Sequence, residues 1–279
     1  MRYCSSHCRT WGQEVSRTGY RATAWLTACA LLTPLPALSA DFTREQVAEQ
    51  LAALPNGGRI NLAGKSLGGL DLSRLDFTSG DLHGADLSGA NLFAAKFQDA
   101  NLSGANLSGA NMAIMNVIHA DLTDANLSGA QMFGLVTSSG METSRKEAPI
   151  MVRANLSGAR VVSRLGHADL TGANLSGAQM SADMKNQSMG LMRAEFPGAN
   201  LTGANLSGAE LGNALLRFTN LTGANLTGAD LHQADFIGAN LSGANLTGAN
   251  AAGTNFEAAE IKDAIGLESV KSLDRKGAR

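Results

Sequence analysis

A bulky apolar residue recurs at every fifth position through most of this chain, and that spacing excludes both regular backbone elements. The series runs from Leu62 through Leu67, Leu72 and Phe77 to Met132 and resumes at Leu156 and Val161. It then shifts to Leu165, Leu170, Leu175 and Met180, and shifts again to run from Leu191 to Ile261. Five residues turn an α-helix by about 500°, so successive leucines would drift about 140° around its axis. On a flat strand an odd period puts them on opposite faces. The rest of the unit is Ala two before the central residue, Asn or Asp one before, then Ser or Thr and Gly after it. Most of these are poor strand formers as well. The remaining solution is a solenoid whose chain bends once per unit. The central residue and the Ala then point inward and the other three positions outward. The inward Ala is small because a narrow coil has no room for two bulky layers.

Composition narrows the function classes. Only 5% of the 279 residues are aromatic, and both Trp and both Tyr (Tyr3, Trp11, Tyr20, Trp25) lie in the first 25 positions. The large aromatic core of a conventional enzyme is excluded. A formal charge of −2 excludes a polybasic nucleic-acid binder, and no direct nucleic-acid binding is expected.

The unit Ala-Asn-Leu-Ser-Gly, as at Ala105 to Gly109, Ala125 to Gly129, Ala173 to Gly177 and Ala204 to Gly208, resembles the pentapeptide-repeat proteins. The resemblance covers roughly Ile60 to Ile261. It implies an all-β solenoid, a right-handed quadrilateral β-helix with four units per coil and short helical caps at both ends. At four per coil, the 36 units of the series make about nine coils, a rod of ~43 Å at ~4.8 Å per stacked strand. The resemblance also allows a homodimer through the C-terminal end. It names no function, because one fold hosts many roles.

The first 40 residues read as a secretory signal peptide. Arg17 and Arg21 precede an uncharged apolar run, Ala22 to Leu35, followed by the small residues Ala37-Leu38-Ser39-Ala40. The run is too short to span a bilayer, so the mature chain is expected to carry no transmembrane segment. Cleavage near Ala40 implies a periplasmic or secreted protein. Leu26-Thr27-Ala28-Cys29 also resembles a lipid-attachment site, but the apolar run continues past Cys29, which argues against lipid anchoring. Without residues 1–40, which hold four Arg, one Glu and all three Cys, the chain carries −5 and has neither disulfide nor thiol chemistry.

Residues 41–58 read as an N-terminal helical cap. Thr43 with Gln46 has the spacing of a capping box, Val47, Leu51 and Leu54 form an apolar stripe, and Pro55-Asn56-Gly57-Gly58 ends it. Residues 59–262 form the solenoid, interrupted by a loop insertion at 133–153 and an irregularity at 181–190. Residues 263–279 form a C-terminal cap or tail, using Ile265, Leu267, Val270 and Leu273 together with Ile261.

Chemistry-bearing groups are sparse. His83 and His119 are 36 apart and fall on different faces or corners, while the loops obscure the phase of His167 and His232. No Cys/His or carboxylate set has metal-ligand spacing, no nucleophile–base pair can be assigned, and no cofactor is expected. Met112, Met132 and Met180 occupy central slots and Met115 and Met189 the inward Ala slot, so they read as core filling. One apolar outward column stands out. Phe93, Ala113 and Phe133 each follow a central residue and are 20 apart, so they stack on one face, with Ile114 beside them. These four are the candidate partner-binding residues, unless the 133–153 loop folds back over them. Ser/Thr columns such as Thr202/Thr222/Ser242 follow from the monotony of the repeat.

The sequence thus reads as an exported, non-catalytic scaffold or protein-interaction module of a bacterial envelope, with an unknown protein partner. The alternative, implied by the resemblance, is a cytosolic DNA mimic that interacts with gyrase or topoisomerase. It requires an acidic stripe. Asp71, Asp76, Asp81 and Asp86 instead circle the rod once, and one slot read down a face gives Asp76, Lys96, Asn116.

Overall fold

The computed structural model describes residues 41–140, 144–182 and 192–268. The expected signal peptide with Cys29, Leu191, which the repeat pattern puts in a central slot, and the tail beyond Glu268 lie outside the described residues. Among the described residues no helix is long and apolar enough to cross a membrane.

Each repeat unit makes one corner of the coil by the same local chemistry. The central residue's carbonyl accepts from the N–H three positions on, as Leu107 O does from Ala110 N–H at 3.1 Å. The residue two after the centre has positive φ, 66° at Gly109. That is the type II turn, whose third position favours Gly. The Asn or Asp before the centre accepts on its Oδ1 from the N–H two residues on, as Asn106 does from Ser108 at 3.2 Å. The rest of the backbone bonds to neighbouring coils: Leu107 N–H donates to Asn126 O at 2.7 Å and Asn126 N–H to Ala105 O at 2.9 Å.

In the uninterrupted stretches parallel bridges join residues 20 apart, so four units close a coil; across the irregular segments the spacing becomes 19, 29 or 31. The first face stacks Asn61, Asp81, Asn101, Asp121, Ile150, Asp169, Asn200, Asn220, Asn240 and Glu260. The second runs from Ser66 to Ile265, the third from Asp71 to Asn250, and the fourth from Asp76 to Asn255. The first and second faces have ten rungs each, one more than nine coils give; on the first face the added rung is Ile150, whose neighbour Met151 fills a central slot inside the stretch read as a loop. Thr137 and Gly266 hold central slots that an apolar pattern cannot reveal. Pairing is mostly by single bridge residues. Only β1 (Gln131–Phe133) and β2 (Arg160–Val162) align three residues in parallel register.

Central residues and inward alanines are almost all fully buried and form one continuous core. Met112, Met132, Met151 and Met180 are buried in central slots and Met115 in an Ala slot, which makes them core atoms. Thr219 and Thr254 replace inward alanines and donate their hydroxyls to Phe196 O (2.8 Å) and Leu231 O (2.6 Å), so no buried hydroxyl goes unpaired.

The N-terminal end is closed by α1 (Arg44–Ala52), with Thr43 and Gln46 forming a reciprocal capping box. Val47 is fully buried, and Leu51 and Leu54 pack on the core. Arg44 donates to the carbonyls of Asp71 and Ser73, and Asp41 exchanges two 2.7 Å bonds with Ser66. The C-terminal end differs from the expected helical cap. The described residues 263–268 continue the coil, with Ile265 bridged to Asn245. Gly266 sits so close to Thr247 that an added Cβ would lie 2.3 Å from its backbone N, which is why the apolar series stops at Ile261 while the coil does not.

The loop boundaries also need correction. Residues 133–137 stay in the coil, with Val136 bridged to Asn116, and Ile150 rejoins it opposite Asp121. The extruded segment is therefore shorter than 133–153, lying between Thr137 and Ile150. It is clamped by Glu147, whose carboxylate accepts from the hydroxyls of Ser138 (2.9 Å), Ser139 (2.5 Å) and Ser144 (3.1 Å). These bonds, Ser139's first, hold its pKa below the ordinary value. One coil later the step from Val161 to Leu165 is a residue short. Buried Ser163 repairs it by donating to Met132 O at 2.8 Å and accepting from Leu135 N–H at 3.1 Å, while Thr137 Oγ1 donates to Arg164 O at 2.9 Å. Of the irregularity at 181–190, only Ser181 and Ala182 are described.

Candidate functional site

The four faces are chemically unequal. Down the second face the sequence repeats (Asp/Asn)-Leu-(Ser/Thr)-Gly without exception from Asp86 to Gly248. Its asparagines form a ladder in which each Nδ2 donates to the residue one coil nearer the N-terminus. Asn106 bonds Asp86 (3.0 Å), Asn126 bonds Asn106 (3.1 Å), and the series continues through Asn155, Asn174, Asn205 and Asn225. The flanking hydroxyls are spent as well where they donate to Asn Oδ1, as Thr227 does to Asn225 at 2.6 Å. This face holds its asparagine side chains in internal bonds.

The fourth face is the opposite. Every phenylalanine of the coil lies inside it or on one of its two corners. Phe77, Phe97, Phe196, Phe236 and Phe256 fill its central slots, with Phe77 stacked on Phe97 at 4.7 Å and Phe236 on Phe256 at 5.4 Å. Phe93 and Phe133 stand on the corner shared with the third face, and Phe218 on the corner shared with the first. Three of the exposed large apolar residues, Ile114, Val136 and Phe218, lie on this face or its corners too, while Ile265 stands on the second face.

The expected column exists at the first of these corners. Phe93, Ala113 and Phe133 follow one another down successive coils, with Ala94 N–H donating to Ala113 O (3.0 Å) and Ile114 N–H to Phe133 O (2.8 Å). All three are half-buried, and Ile114 beside them is 47% exposed. The extruded loop turns to the other corner, where Glu147 O accepts from His119 N–H at 2.7 Å. What rests on the phenylalanines is arginine: the Arg74 guanidinium lies 6.0 Å from the Phe93 ring centre and that of Arg160 lies 5.0 Å from Phe133. Arg74 was reachable by counting units. Arg160 was not, because the loop shifts its register against Gln131 from 20 to 29 residues.

Ile114 is strained. It occupies the turn position that the repeat gives to Gly, at φ 49°. A β-branched residue there costs ~1–3 kcal/mol. Phe218 repeats the anomaly on the other corner, at φ 55° and 69% exposed, its ring covering the space above Gly238 where a Cβ would come within 2.7 Å. Neither side chain is buried enough to explain why the strain is kept.

Several other polar groups of the coil are locally paired, whereas the buried His167 Nδ1 meets no hydrogen-bond partner among the described residues. His119 meets Asp99 at 2.9 Å and His232 meets Asp230 at 2.9 Å. His119 and His167 share a corner, while His83 and His232 are on others. Arg153 clasps Asp124 with two bonds of 2.7 and 2.6 Å, which lowers the Asp124 pKa and raises that of Arg153. No group of three His, Cys, Asp or Glu among the described residues has the geometry of a metal site.

Pentapeptide repeats match at residues 59–93, 95–134, 150–182, 194–233 and 224–263, more than half of the chain. Among solved structures, the chain is similar to HetL, a pentapeptide repeat protein involved in heterocyst differentiation regulation from the cyanobacterium Nostoc sp. strain PCC 7120. The identity is 27% over 85% of this chain and 96% of HetL, with a TM-score of 0.63. It is also similar to Rfr23 from the cyanobacterium Cyanothece 51142, at 28% identity over 53% of this chain and 85% of Rfr23, TM-score 0.24. QnrB1, a plasmid-mediated fluoroquinolone resistance protein, matches at 20% identity over 79% of this chain and 89% of QnrB1, TM-score 0.35. No curated protein matches in sequence.

Proposed function

Because the chain belongs to the pentapeptide-repeat family, we propose that it is a non-catalytic protein-interaction scaffold, exported to a bacterial envelope, whose contact surface is the corner of Phe93, Ala113, Ile114 and Phe133. The observation that carries this is the asymmetry of the coil. The coil's phenylalanines and most of its exposed large apolar residues gather at one face, and Ile114 is kept there in a left-handed conformation whose strain its 47% exposed side chain offsets only in part. Strain kept at an exposed apolar site fits selection for contact. The export half rests on residues 1–40 alone. The DNA-mimic alternative is disfavoured because bridged neighbours on each face break the acidic run: Asp76 meets Lys96, Asp86 meets Asn106 and Asp71 meets Asn91.

Two experiments test the two halves. The intact mass of the protein from a fractionated native host should show a species starting near Asp41 in the periplasm or medium. A full-length cytosolic species refutes export and makes gyrase supercoiling the next assay. For the contact surface, Phe93→Ser with Phe133→Ser should leave the melting curve unchanged and remove the partner recovered with the wild-type chain; an unchanged set of partners rules this corner out.

A further inference from the structure

Resting on the contact corner proposed above, we infer that the partner presents an extended acidic segment with one apolar side chain between its carboxylates. The corner is built as a notch between two matched posts. Phe93 carries Arg74 at one end, Phe133 carries Arg160 at the other, and Ala113 leaves a gap one coil deep between them, walled by Ile114. A single apolar side chain of the partner would seat over Ala113, the smallest residue of the column, between the two rings.

Charge selects the flanking groups. Arg44, Lys96, Arg153, Arg164 and Arg217 each lie within 4.0 Å of a carboxylate. Arg74 and Arg160 meet none among the described residues, which is equally true of Arg59, Lys65, Arg145, Lys146 and Lys262, but these two lie over rings at one corner. The carboxylates nearest along the chain to Arg74 are already engaged, Asp71 by Arg44 and Asn91, and Asp76 by Lys96. Neither column of the corner holds an acid: one reads Ser73, Phe93, Ala113, Phe133 and the other Arg74, Ala94, Ile114, Gly134, each ending at a buried residue, Val162 and Ser163. A guanidinium lying near a ring still directs its N–H edge outward, where a carboxylate docks with two bonds. The two rings are two coils apart, ~10 Å, and the two arginine backbones four coils apart, ~19 Å. An extended peptide rises ~3.3 Å per residue, so the two carboxylates stand three to six residues apart.

The test pans a random nine-residue phage-displayed peptide library on the immobilised full chain and measures the affinity of synthesised winners by fluorescence polarisation. Winners should carry two Asp or Glu three to six positions apart around a Leu, Ile, Phe or Met, and should weaken several-fold as salt rises, because contacts of this kind are screened. Their binding should fall at least fivefold in Arg74→Glu/Arg160→Glu and in the gentler Arg74→Gln/Arg160→Gln, with melting curves unchanged. The charge-reversed chain, panned again, should select Lys and Arg in the same spacing. Winners lost in Phe93→Ser but indifferent to the arginine variants overturn the acidic assignment and leave the contact corner standing. Winners indifferent to Phe93→Ser and Phe133→Ser overturn the corner itself. Binding to phosphatidylglycerol vesicles with no selected peptide overturns the inference in favour of a lipid surface.

Discussion

Asn106→Asp tests whether the asparagine ladder is directional. Asn106 donates Nδ2 to Asp86 Oδ1 at 3.0 Å, and its own Oδ1 accepts from Asn126 Nδ2 at 3.1 Å and from Ser108 N–H at 3.2 Å. The substitution keeps both acceptor roles and removes the one donor. It also sets two carboxylates face to face at the half-buried head of the ladder. One bridge among the described residues, Glu210 to Asp230, joins two acidic residues, and there the longer glutamate arm can swing clear; none joins two aspartates, and the ladder begins on Asp86, which only has to accept. Losing a hydrogen bond to a charged acceptor costs ~1.5–3 kcal/mol. Two charges ~3.5 Å apart at an effective dielectric of 40–80 add ~1–2 kcal/mol of repulsion. The sum is about 3–5 kcal/mol at pH 7, within reach of a urea melt. The introduced carboxyl holds its proton above the ordinary range, because the protonated form restores an O–H donor toward Asp86. A carboxyl raised in the folded state costs nothing below its unfolded pKa, and the cost grows as pH rises through the folded value. The deficit relative to wild type should therefore shrink as pH falls from 7 to 4.5. A deficit below ~1 kcal/mol, or one that does not change with pH, refutes the directional ladder.

Other substitutions read out other parts of the coil. Ala105→Phe should lower stability by ~1–3 kcal/mol or more through overpacking, whereas Ser108→Phe should be nearly neutral in the same thermal melt. Ser163→Ala leaves the buried Leu135 N–H without its acceptor and should cost ~1–3 kcal/mol by urea melt, while Ser157→Ala on an outward slot should cost a few tenths. Glu147 has a lowered pKa, so its clamp is intact above the ordinary glutamate range and is lost as pH falls through and below it. Protease cleavage between Ser138 and Pro149 should accelerate there, and Glu147→Gln should cleave faster already at pH 7.

The coil was legible because its rules are local. Each unit carries its own turn residue, its own Asx bond and its own two core groups, so five positions suffice to read inside and outside. What failed was the bookkeeping between units. Thr137 and Gly266 hold central slots without an apolar side chain, and one is satisfied by a hydroxyl bond to Arg164 O while the other has no room for a side chain. A periodic reading drops both, and so it misplaced the loop edge and the end of the solenoid. The capping box at Thr43 was legible for the same local reason.

The candidate site was half legible, and the division is physical. A column of residues 20 apart can be counted as long as nothing is inserted, which is why Phe93, Ala113 and Phe133 line up on paper and in space. Past the loop every partner is displaced, so Arg160 over Phe133 and the grouping of all coil phenylalanines around the fourth face appear only once the coil is closed. Backbone strain is the other hidden signal. Ile114 looks like an ordinary apolar residue until its slot is recognised as the glycine position of the turn. There Ile114→Gly relieves ~1–3 kcal/mol of strain but gives up ~1 kcal/mol of half-burial and a similar amount of unfolded-state entropy. These terms nearly cancel, so folding gains little from isoleucine over glycine at this position. A melt of Ile114→Gly within about 1 kcal/mol of wild type, together with loss of the bound peptide, would show that the residue serves the contact. A drop of more than ~2 kcal/mol would show instead that the corner is held for the stability of the coil.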